Sequence, residues 1–330
     1  MKDLTILIQG PYFEYNEYNS NTNINILKKN FPDAKILIST WKNESNFIIN
    51  SKDKIIFNDD PGAIIDGQPN GSNILRQSVS VKNGLNKIDT KYTLKIRSDC
   101  YFNSNKILEV NHKKYNINNN FKIFEERIIT SSVCSLNQSV TSILYNFNDW
   151  FNFGLTKDLK KIWSNINIKE EDINYFKKNK FEKKNLFGKD WELRFTPEQY
   201  IYYTSVSKKI KNKIDNGHDF SKKKLFNAEN YLINNFYLIH PDDIDFIFPK
   251  YDGNINKKIN HLSTNLRSTT LMYLSYSEND WIKLFYKHSK IKLKVHNNFN
   301  YKILYFRLKF TIKKKIYFGL CFIKKLFNFF

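Results

Sequence analysis

The sequence has few of the residues that build metal centres, disulfide frameworks or membrane spans. Its three cysteines include no Cys-x-x-Cys pair, so neither a zinc site nor a disulfide framework is indicated. Its six histidines show no spacing typical of metal ligands. No apolar run is long enough to span a bilayer, and the run that follows Met1 is too short for the core of a signal peptide. We therefore expect a globular protein that stays in the cytoplasm.

Basic and aromatic residues, in contrast, are abundant. The 330 residues include 53 Lys and Arg against 32 Asp and Glu, a net charge of +21, and also 28 Phe and 20 Tyr. Residues 281–330 contain 13 basic residues, 14 aromatic residues and no acidic residue. Such a segment suits an anionic membrane surface, and it also suits single-stranded nucleic acid.

The apolar run 316–323 favours the membrane over nucleic acid. We therefore predict peripheral attachment to the inner face of the cytoplasmic membrane, with no nucleic-acid partner. The lysines do not separate onto one helix face, so a poorly ordered basic tail is the open alternative.

Short apolar runs alternate with helix-length segments in the first hundred residues. The runs 4–8, 34–41, 54–58 and 92–97 have the length and the β-branched content of buried strands. A helical stretch at 72–87 and a polar segment between the first two runs supply the crossovers. This alternation predicts an α/β fold, with a mostly parallel, Rossmann-type sheet and helices on both faces.

Polar residues or turns follow all four predicted strands. The carboxyl ends of parallel strands meet at one edge of a sheet, where α/β proteins bind ligands. The four strand ends therefore predict one ligand site, formed by Gln9-Gly10-Pro11, Trp41, Asp60-Pro61-Gly62 and Arg97-Ser98-Asp99.

Seven motifs between residues 4 and 250 carry a resemblance to a known family. They are Ile8-Gln9-Gly10-Pro11, Ser39-Thr40-Trp41, Asp60-Pro61-Gly62, Asn73 and Arg76-Gln77 with Gly84-Leu85, Leu94 to Asp99, Asp149 to Gly154, and Pro197-Glu198-Gln199-Tyr200. In order and spacing this set resembles the WavE-type lipopolysaccharide-synthesis proteins, which are regarded as GT-A-like glycosyltransferases. The resemblance implies transfer of a sugar from a nucleotide-sugar donor to a lipid-linked lipopolysaccharide or capsule oligosaccharide.

The same resemblance implies a place for a divalent cation. GT-A enzymes commonly end a buried strand in Asp-x-Asp, whose oxygens hold the metal against the donor diphosphate. Here Arg97 stands in place of the first Asp, and Asp99 keeps the second. Asp99 is therefore the predicted catalytic and metal-binding residue for Mn²⁺ or Mg²⁺. The need for the cation stays open, because a neighbouring guanidinium repels it and lowers the need for it.

The chemistry of sugar transfer suggests roles for the other residues. Negative charge grows on the leaving diphosphate, and a guanidinium from Arg76 or Arg97 could neutralise it. Asp60 is placed to bind the base or the ribose. The predicted donor-binding residues are Gln9, Gly10, Thr40, Trp41, Asp60, Arg76 and Arg97.

An inverting transferase also needs a base that takes the proton of the acceptor. Glu198 is the first candidate, and Asp149 is a second catalytic candidate beside an acceptor wall. Both have a structural alternative. Thr196 suits an N-cap, Pro197 suits the first helical position, and Glu198 then favours the helix dipole without any catalysis.

The chain is predicted to divide near residue 250. Residues 1–250 form a GT-A-like catalytic domain, with a nucleotide-binding half at about 1–105 and an acceptor half at about 106–250. The turn-rich segment 251–258 marks the boundary, and 251–330 is the basic, aromatic-rich region expected at the membrane.

Two other functions fit parts of the sequence. A sugar nucleotidyltransferase could have the same fold, but it would need a Gly-rich, basic phosphate loop after the first strand, and the Gln9 loop is instead followed by Glu14 and Glu17. A nucleic-acid-binding protein could use the basic tail. That function leaves the motifs at Asp60 and at Asp99 unexplained.

Overall fold

The computed structural model describes residues 3–48, 53–65, 71–181, 192–249, 273–289 and 305–316, except 306 and 314. Its strands, in chain order, are β1 (Leu4–Gln9), β2 (Glu14–Tyr15), β3 (Tyr18–Asn19), β4 (Lys35–Trp41), β5 (Lys54–Asn58), β6 (Tyr92–Arg97), β7 (Tyr101–Phe102), β8 (Ile128–Ser131), β9 (Phe151–Leu155), β10 (Phe236–Ile239) and β11 (Phe246–Ile247). Seven of them form one sheet in the order β10-β8-β9-β6-β1-β4-β5.

Eight α-helices lie between or after these strands in the described part of the chain. They are α1 (Ser20–Asn30), α2 (Ile74–Asn86), α3 (Gln138–Thr141), α4 (Thr156–Trp163), α5 (Tyr175–Lys178), α6 (Pro197–Thr204), α7 (Lys222–Asn235) and α8 (Glu278–Ser289). Residues 307–313 are also helical. Within the described ranges, no helix has both the length and the apolar character that a membrane span requires.

The predicted fold class is confirmed. β1, β4, β5 and β6 are parallel neighbours, β8 and β10 are parallel, and β9 alone runs antiparallel, between β6 and β8. The chain leaves β1 towards β4 and β5, and it then returns to β6 on the other side of β1. The strand order therefore reverses at β1 and β6, and the crevice at their carboxyl ends is the place where open α/β sheets bind ligands.

Helices cover both faces of the sheet. The crossovers that contain α1 and α2 run in opposite directions along the sheet, so right-handed connections place these helices on opposite faces. On the α2 face the helix approaches β1 closely at Gly84. A Cβ atom there would lie 2.5 Å from Cδ1 of Leu7, so a larger residue would force the buried Leu7 side chain to shift.

Polar side chains fix the ends of the strands that face the crevice. The Asn58 amide donates to Ser39 Oγ at 3.0 Å and to the Thr40 carbonyl at 2.8 Å. Ser39 donates in turn to the Ser80 carbonyl of α2 at 2.7 Å. A buried amide with all of these partners stabilises one arrangement, because leaving any partner unbonded would cost free energy.

The region beyond residue 250 packs in part on the core. The predicted boundary lies outside the described residues, and the division into domains stays a prediction. Trp281 of α8 is fully buried, and its indole N–H donates to the Phe236 carbonyl of β10 at 2.9 Å. The guanidinium of Arg307 donates to both carboxylate oxygens of Asp280, at 3.0 and 2.7 Å. The first part of the basic segment, from residue 281, therefore packs into the core and does not form a membrane-facing surface.

Trp281→Ala tests whether α8 belongs to the core. The variant removes a fully buried indole that packs against Tyr115 and Tyr237, so the free energy of unfolding should fall by about 3–5 kcal/mol. Urea unfolding measures the change. Lys283→Ala, an exposed position on the same helix, should change it by less than about 0.5 kcal/mol. Equal stability of the two variants would show that α8 is dispensable for the fold.

Candidate functional site

One cavity of about 690 Å³ opens at the carboxyl ends of β1, β4 and β6. This is the edge at which the strand order reverses, so the fold places the cavity where a ligand site is expected. It brings together all of the predicted donor-binding residues except Thr40, together with Asp99. Its lining consists of Gln9, Gly10, Pro11, Tyr12, Phe13, Glu14, Tyr15, Trp41, Glu44, Asp60, Asn73, Arg76, Gln77, Arg97, Ser98 and Asp99.

Gly10 allows two strand ends to meet closely at the floor of the cavity. Its φ angle is +119°, a conformation that side-chain-bearing residues rarely adopt. A Cβ atom at this position would lie 2.9 Å from Ser98 Oγ. Ser98 N donates to the Gln9 carbonyl at 2.9 Å, which joins the loop after β1 to the loop after β6. The Gln9-Gly10-Pro11 motif therefore serves close backbone approach.

Arg97 and Asp99 form a two-bond ion pair within the cavity wall. Arg97 Nε donates to Asp99 Oδ1 at 3.0 Å, and Nη2 donates to Oδ2 at 2.9 Å. The Asp99 side chain is 7% exposed and that of Arg97 is 26% exposed, so the guanidinium is the more accessible member of the pair. Burial alone would lower the pKa of Arg97, but the carboxylates of Asp99 and Asp149 outweigh it and raise that pKa.

Arg76 and Asp60 form a second pair of the same geometry. Arg76 Nε donates to Asp60 Oδ1 at 2.7 Å, and Nη2 donates to Oδ2 at 2.8 Å. Nη1 of the same guanidinium donates to Asn73 Oδ1 at 3.0 Å. The hydrogen bond from Arg76 lowers the pKa of Asp60, although this pair is more exposed than the first. Both predicted phosphate-binding arginines are thus held in fixed orientations by carboxylates.

A divalent cation does not fit Asp99 as the side chain stands. Both of its carboxylate oxygens accept hydrogen bonds from Arg97, and the bound guanidinium would repel a metal ion placed at the same oxygens. Two unit charges 4 Å apart interact by about 4 kcal/mol near a protein surface, and a divalent ion doubles that repulsion. Among the described residues, no group of three or more His, Cys, Asp or Glu side chains is arranged to hold a metal.

Two amide oxygens in the cavity wall are buried without a hydrogen-bond partner in the described structure. They are Oε1 of Gln9, a residue that is 6% exposed, and Oε1 of Gln77. An unpaired buried oxygen costs free energy, which a ligand hydroxyl or N–H group would recover. Thr40 lies elsewhere: it is fully buried, does not line the cavity, and has a hydroxyl that makes no hydrogen bond to the described residues.

Asp149 lies in the loop before β9, outside the cavity lining but in electrostatic contact with it. Its negative charge helps to raise the pKa of Arg97, and its backbone carbonyl accepts a hydrogen bond from Lys95 Nζ at 2.5 Å. Asp149 is 7% exposed. The loop is joined to β6 because Arg97 N donates to the Trp150 carbonyl at 3.1 Å. Asp149 therefore connects the cavity to the residues of the predicted acceptor half.

Glu198 lies in the first turn of α6, as the capping pattern predicts. Thr196 is the N-cap, its hydroxyl accepts from Gln199 N at 3.1 Å, and Pro197 occupies the first turn. The half-buried Glu198 carboxyl also accepts a hydrogen bond from the Asn146 amide at 3.2 Å. Burial first, and then the negative charge of Asp149, raise the pKa of Glu198 to about 7. The carboxyl is therefore both a cap residue and a group that titrates near neutral pH.

Lys95 lies behind the cavity lining, beside Asp149, and was not predicted from the sequence. It sits in the apolar-looking strand β6, two residues before Arg97 and hence on the same face of the sheet. Its side chain is fully buried, with the ammonium 4.8 Å from the centroid of the Trp163 ring. Burial lowers the pKa of Lys95 to about 8, against the opposing charge of Asp149. A lysine in the middle of a buried strand could have indicated this role in the sequence, because an isolated buried charge requires a partner.

Comparison with known proteins gives one family match. The family model described as WavE lipopolysaccharide synthesis matches residues 4–318, nearly the whole chain. A search among curated proteins finds no match.

Two solved structures show a distant likeness to this chain. HddC from Yersinia pseudotuberculosis shares 12% identity over 48% of this chain and 78% of its own, with a TM-score of 0.30. The glycosyltransferase GlyE from Streptococcus pneumoniae TIGR4 shares 10% identity over 47% of this chain and 34% of its own, with a TM-score of 0.26. Both are too distant to support an inference about function.

The raised pKa of Glu198 predicts a specific dependence of stability on pH. The folded protein holds this proton up to about pH 7, whereas the unfolded chain releases it near 4.5. The stability that the proton contributes is therefore present below pH 4.5 and is lost as the pH rises to about 7.

Glu198→Gln should remove that loss. The melting temperature of the variant minus that of wild type should therefore be more positive at pH 8 than at pH 5. Thermal unfolding across this range measures the difference, and Glu192→Gln, beside Lys177, is the control. A difference between Glu198→Gln and wild type that does not vary with pH would contradict the raised pKa.

Proposed function

The chain belongs to the WavE lipopolysaccharide synthesis family, and we propose that it is a glycosyltransferase that moves a sugar from a nucleotide-sugar donor to a glycan acceptor. The observation that carries the proposal is the cavity at the reversal of strand order, with two oriented guanidinium groups in its wall. The family description supports lipopolysaccharide as the product. A lipid-linked oligosaccharide is the proposed acceptor.

The cavity residues suit the parts of a nucleotide sugar. Arg97 and Arg76 would bind the diphosphate, because a guanidinium matches two phosphate oxygens at once. Trp41 and Tyr12 line the same cavity and offer aromatic surface for a base. The unpaired oxygens of Gln9 and Gln77 would accept hydrogen bonds from base or sugar donors. Asp60 was predicted from the sequence to bind the base or the ribose. In this arrangement it would act mainly by orienting Arg76.

Glu198 is the proposed base for the acceptor hydroxyl. A carboxyl with a pKa of about 7 holds a proton more readily than an ordinary glutamate, so it is also a better acceptor of one when it is ionised. The negative charge of Asp149 supplies part of that pKa shift, and it also interacts with Arg97 and Lys95. The catalytic roles of Asp99, Asp149 and Glu198 would then differ: Asp99 orients Arg97, Asp149 adjusts Glu198, and Glu198 takes the proton.

A nucleotide panel tests the donor site. UDP, GDP, CMP and their sugars should be screened by thermal shift, and one of them should stabilise the protein by about 2.7 kcal/mol at a hundredfold excess over Kd. Arg76→Ala should lose most of that stabilisation. Lys35→Ala, which breaks an exposed ion pair with Asp89 at the opposite edge of the sheet, should keep it. Failure of every nucleotide to stabilise wild type would contradict the proposed function.

The released product separates transfer from the alternative reaction. A glycosyltransferase with a truncated lipopolysaccharide acceptor releases the nucleotide of its donor. A sugar nucleotidyltransferase instead releases pyrophosphate from a nucleoside triphosphate and a sugar phosphate, and that result would replace the proposed reaction.

The end of the described chain supports peripheral attachment to a membrane. Leu308, Ile312 and Ile316 are 50–58% exposed and lie four residues apart, so helical spacing places them on one face. The neighbouring Lys309 and Lys313 are also exposed, and the segment carries no acid. An apolar face flanked by lysines fits the boundary between acyl chains and anionic headgroups. Arg307 would hold this face in a fixed orientation relative to the core through Asp280.

Replacement of both Leu308 and Ile312 by Gln should weaken binding to vesicles that contain anionic phospholipid by at least tenfold, because it removes most of the apolar area that would be buried. Vesicle sedimentation measures the fraction of protein bound, and added salt should release part of the bound wild-type protein. Phe226→Gln, which removes an equally exposed apolar side chain on α7, is the control. Unchanged binding would contradict the proposed face, and tighter binding to oligonucleotides than to vesicles at matched salt would favour a nucleic-acid partner.

A further inference from the structure

Two guanidinium groups face one cavity, and each is held by a carboxylate through two parallel hydrogen bonds. Arg97 rests on Asp99 at 3.0 and 2.9 Å, and Arg76 rests on Asp60 at 2.7 and 2.8 Å. Such pairs fix the plane of the guanidinium, so little side-chain entropy remains to be lost when a ligand binds. The wall of the cavity therefore contains two positively charged guanidinium groups whose orientations are fixed.

From this arrangement we infer that the protein binds the diphosphate of its donor through Arg97 and Arg76 and needs no divalent cation. The inference rests on the proposed function, because it specifies how the same cavity holds the same ligand. It reverses the role that the sequence suggested for Asp99, which becomes a positioning residue for Arg97. Arg97, at the first acidic position of the Asp-x-Asp pattern, would supply the positive charge that a metal ion supplies in that pattern.

The geometry of Arg97 leaves one edge for the ligand. Its Nε and Nη2 atoms face Asp99, and the guanidinium carbon lies 5.2 Å from the centroid of the Phe248 ring. Nη1 makes no hydrogen bond to the described residues, and the side chain is 26% exposed in the cavity wall. Phosphate oxygens that approach this edge would meet an N–H donor whose direction is already set.

Other acidic residues in the lining could bind a metal, and their replacement distinguishes metal-dependent from metal-independent binding of the diphosphate. Glu14 and Glu44 line the cavity, and Glu14 is exposed. If a metal bridged the diphosphate to the protein, these carboxylates would be its remaining ligands and their loss would weaken binding. If the diphosphate meets only guanidinium groups, the same carboxylates repel it and their loss would leave binding equal or make it tighter.

The experiment measures nucleotide binding by calorimetry, so it needs no acceptor. UDP, GDP and CDP are titrated into the full chain in EDTA and again in MnCl2. We expect the nucleotide that binds to show Kd values within threefold of each other in the two buffers. Binding that disappears in EDTA and returns with Mn²⁺ would overturn the inference and leave the proposed function standing. Absence of binding in both buffers would overturn both.

Variants at Arg97 make the test specific to that residue. Arg97→Ala should weaken binding in EDTA by at least tenfold, and Arg97→Lys should fall between it and wild type because it keeps the charge and loses the fork. Arg97→Asp should bind weakly in EDTA and regain at least tenfold in MnCl2, since it restores two acids to the strand end. Lys82→Asp, an exposed position on α2 outside the lining, makes the same change in net charge and should stay independent of Mn²⁺.

Glu14→Gln and Glu44→Gln complete the test. Both should bind in EDTA at least as tightly as wild type, and a loss that appears only in MnCl2 would overturn the inference. The melting temperature of each variant is recorded without nucleotide, so a variant that folds poorly is recognised. If Arg97→Ala does not fold, the contrast between Arg97→Lys and wild type in EDTA decides instead, and equal affinity there would count against the fork.

Discussion

The ion pair between Arg97 and Asp99 is the interaction on which this edge of the sheet depends. A carboxylate as buried as that of Asp99 needs a compensating charge, and the chain supplies it from two residues earlier. β6 ends at Arg97, and Cys100 N donates to the Arg97 carbonyl at 3.1 Å in the turn that follows. That turn brings Ser98 against Gly10, where a Cβ atom would lie 2.9 Å from Ser98 Oγ. The parallel pairing of β1 with β6 sets Gln9 opposite Arg97, and the turn and the charge pair then determine how the two motifs contact each other.

The same pair begins a chain of alternating charges that runs away from the cavity. Asp99 faces Arg97, Arg97 also interacts with Asp149, and Asp149 interacts with the buried Lys95. Attraction between these opposite charges offsets part of the free-energy cost of burying the four groups. Glu198 is a further acid beside this balanced set, and no described cation offsets it. Burial first, and then the charge of Asp149, raise its pKa to about 7, so the electrostatics of the cavity reach the acceptor half through Asp149.

Much of this fold could be predicted from the sequence, and the reasons are local. The four predicted strands, β1, β4, β5 and β6, are apolar runs bounded by turns. The carboxyl ends of parallel strands lie at the same edge of the sheet, so the position of the site could be predicted from the strands. The pairing within the site did not follow. Whether Arg97 binds a ligand or a neighbouring carboxylate depends on side-chain directions that spacing does not determine. Thr40 shows the same limit, because its place in a strand-end motif gave no sign that its side chain points away from the cavity.

The carboxyl-terminal region shows why composition averaged over fifty residues misleads. The count of basic and aromatic residues suggested a single surface segment, yet Trp281 and Phe285 are core residues and Arg307 is tied to Asp280. A buried aromatic and an exposed one contribute equally to composition, and only the spacing of apolar residues against a partner helix separates them. The pattern of α8, apolar at positions 281, 284 and 285, already has the period of a helix packed on a core. The surface character of the segment therefore belongs to the residues beyond α8, where the apolar side chains of 308, 312 and 316 point away from the protein.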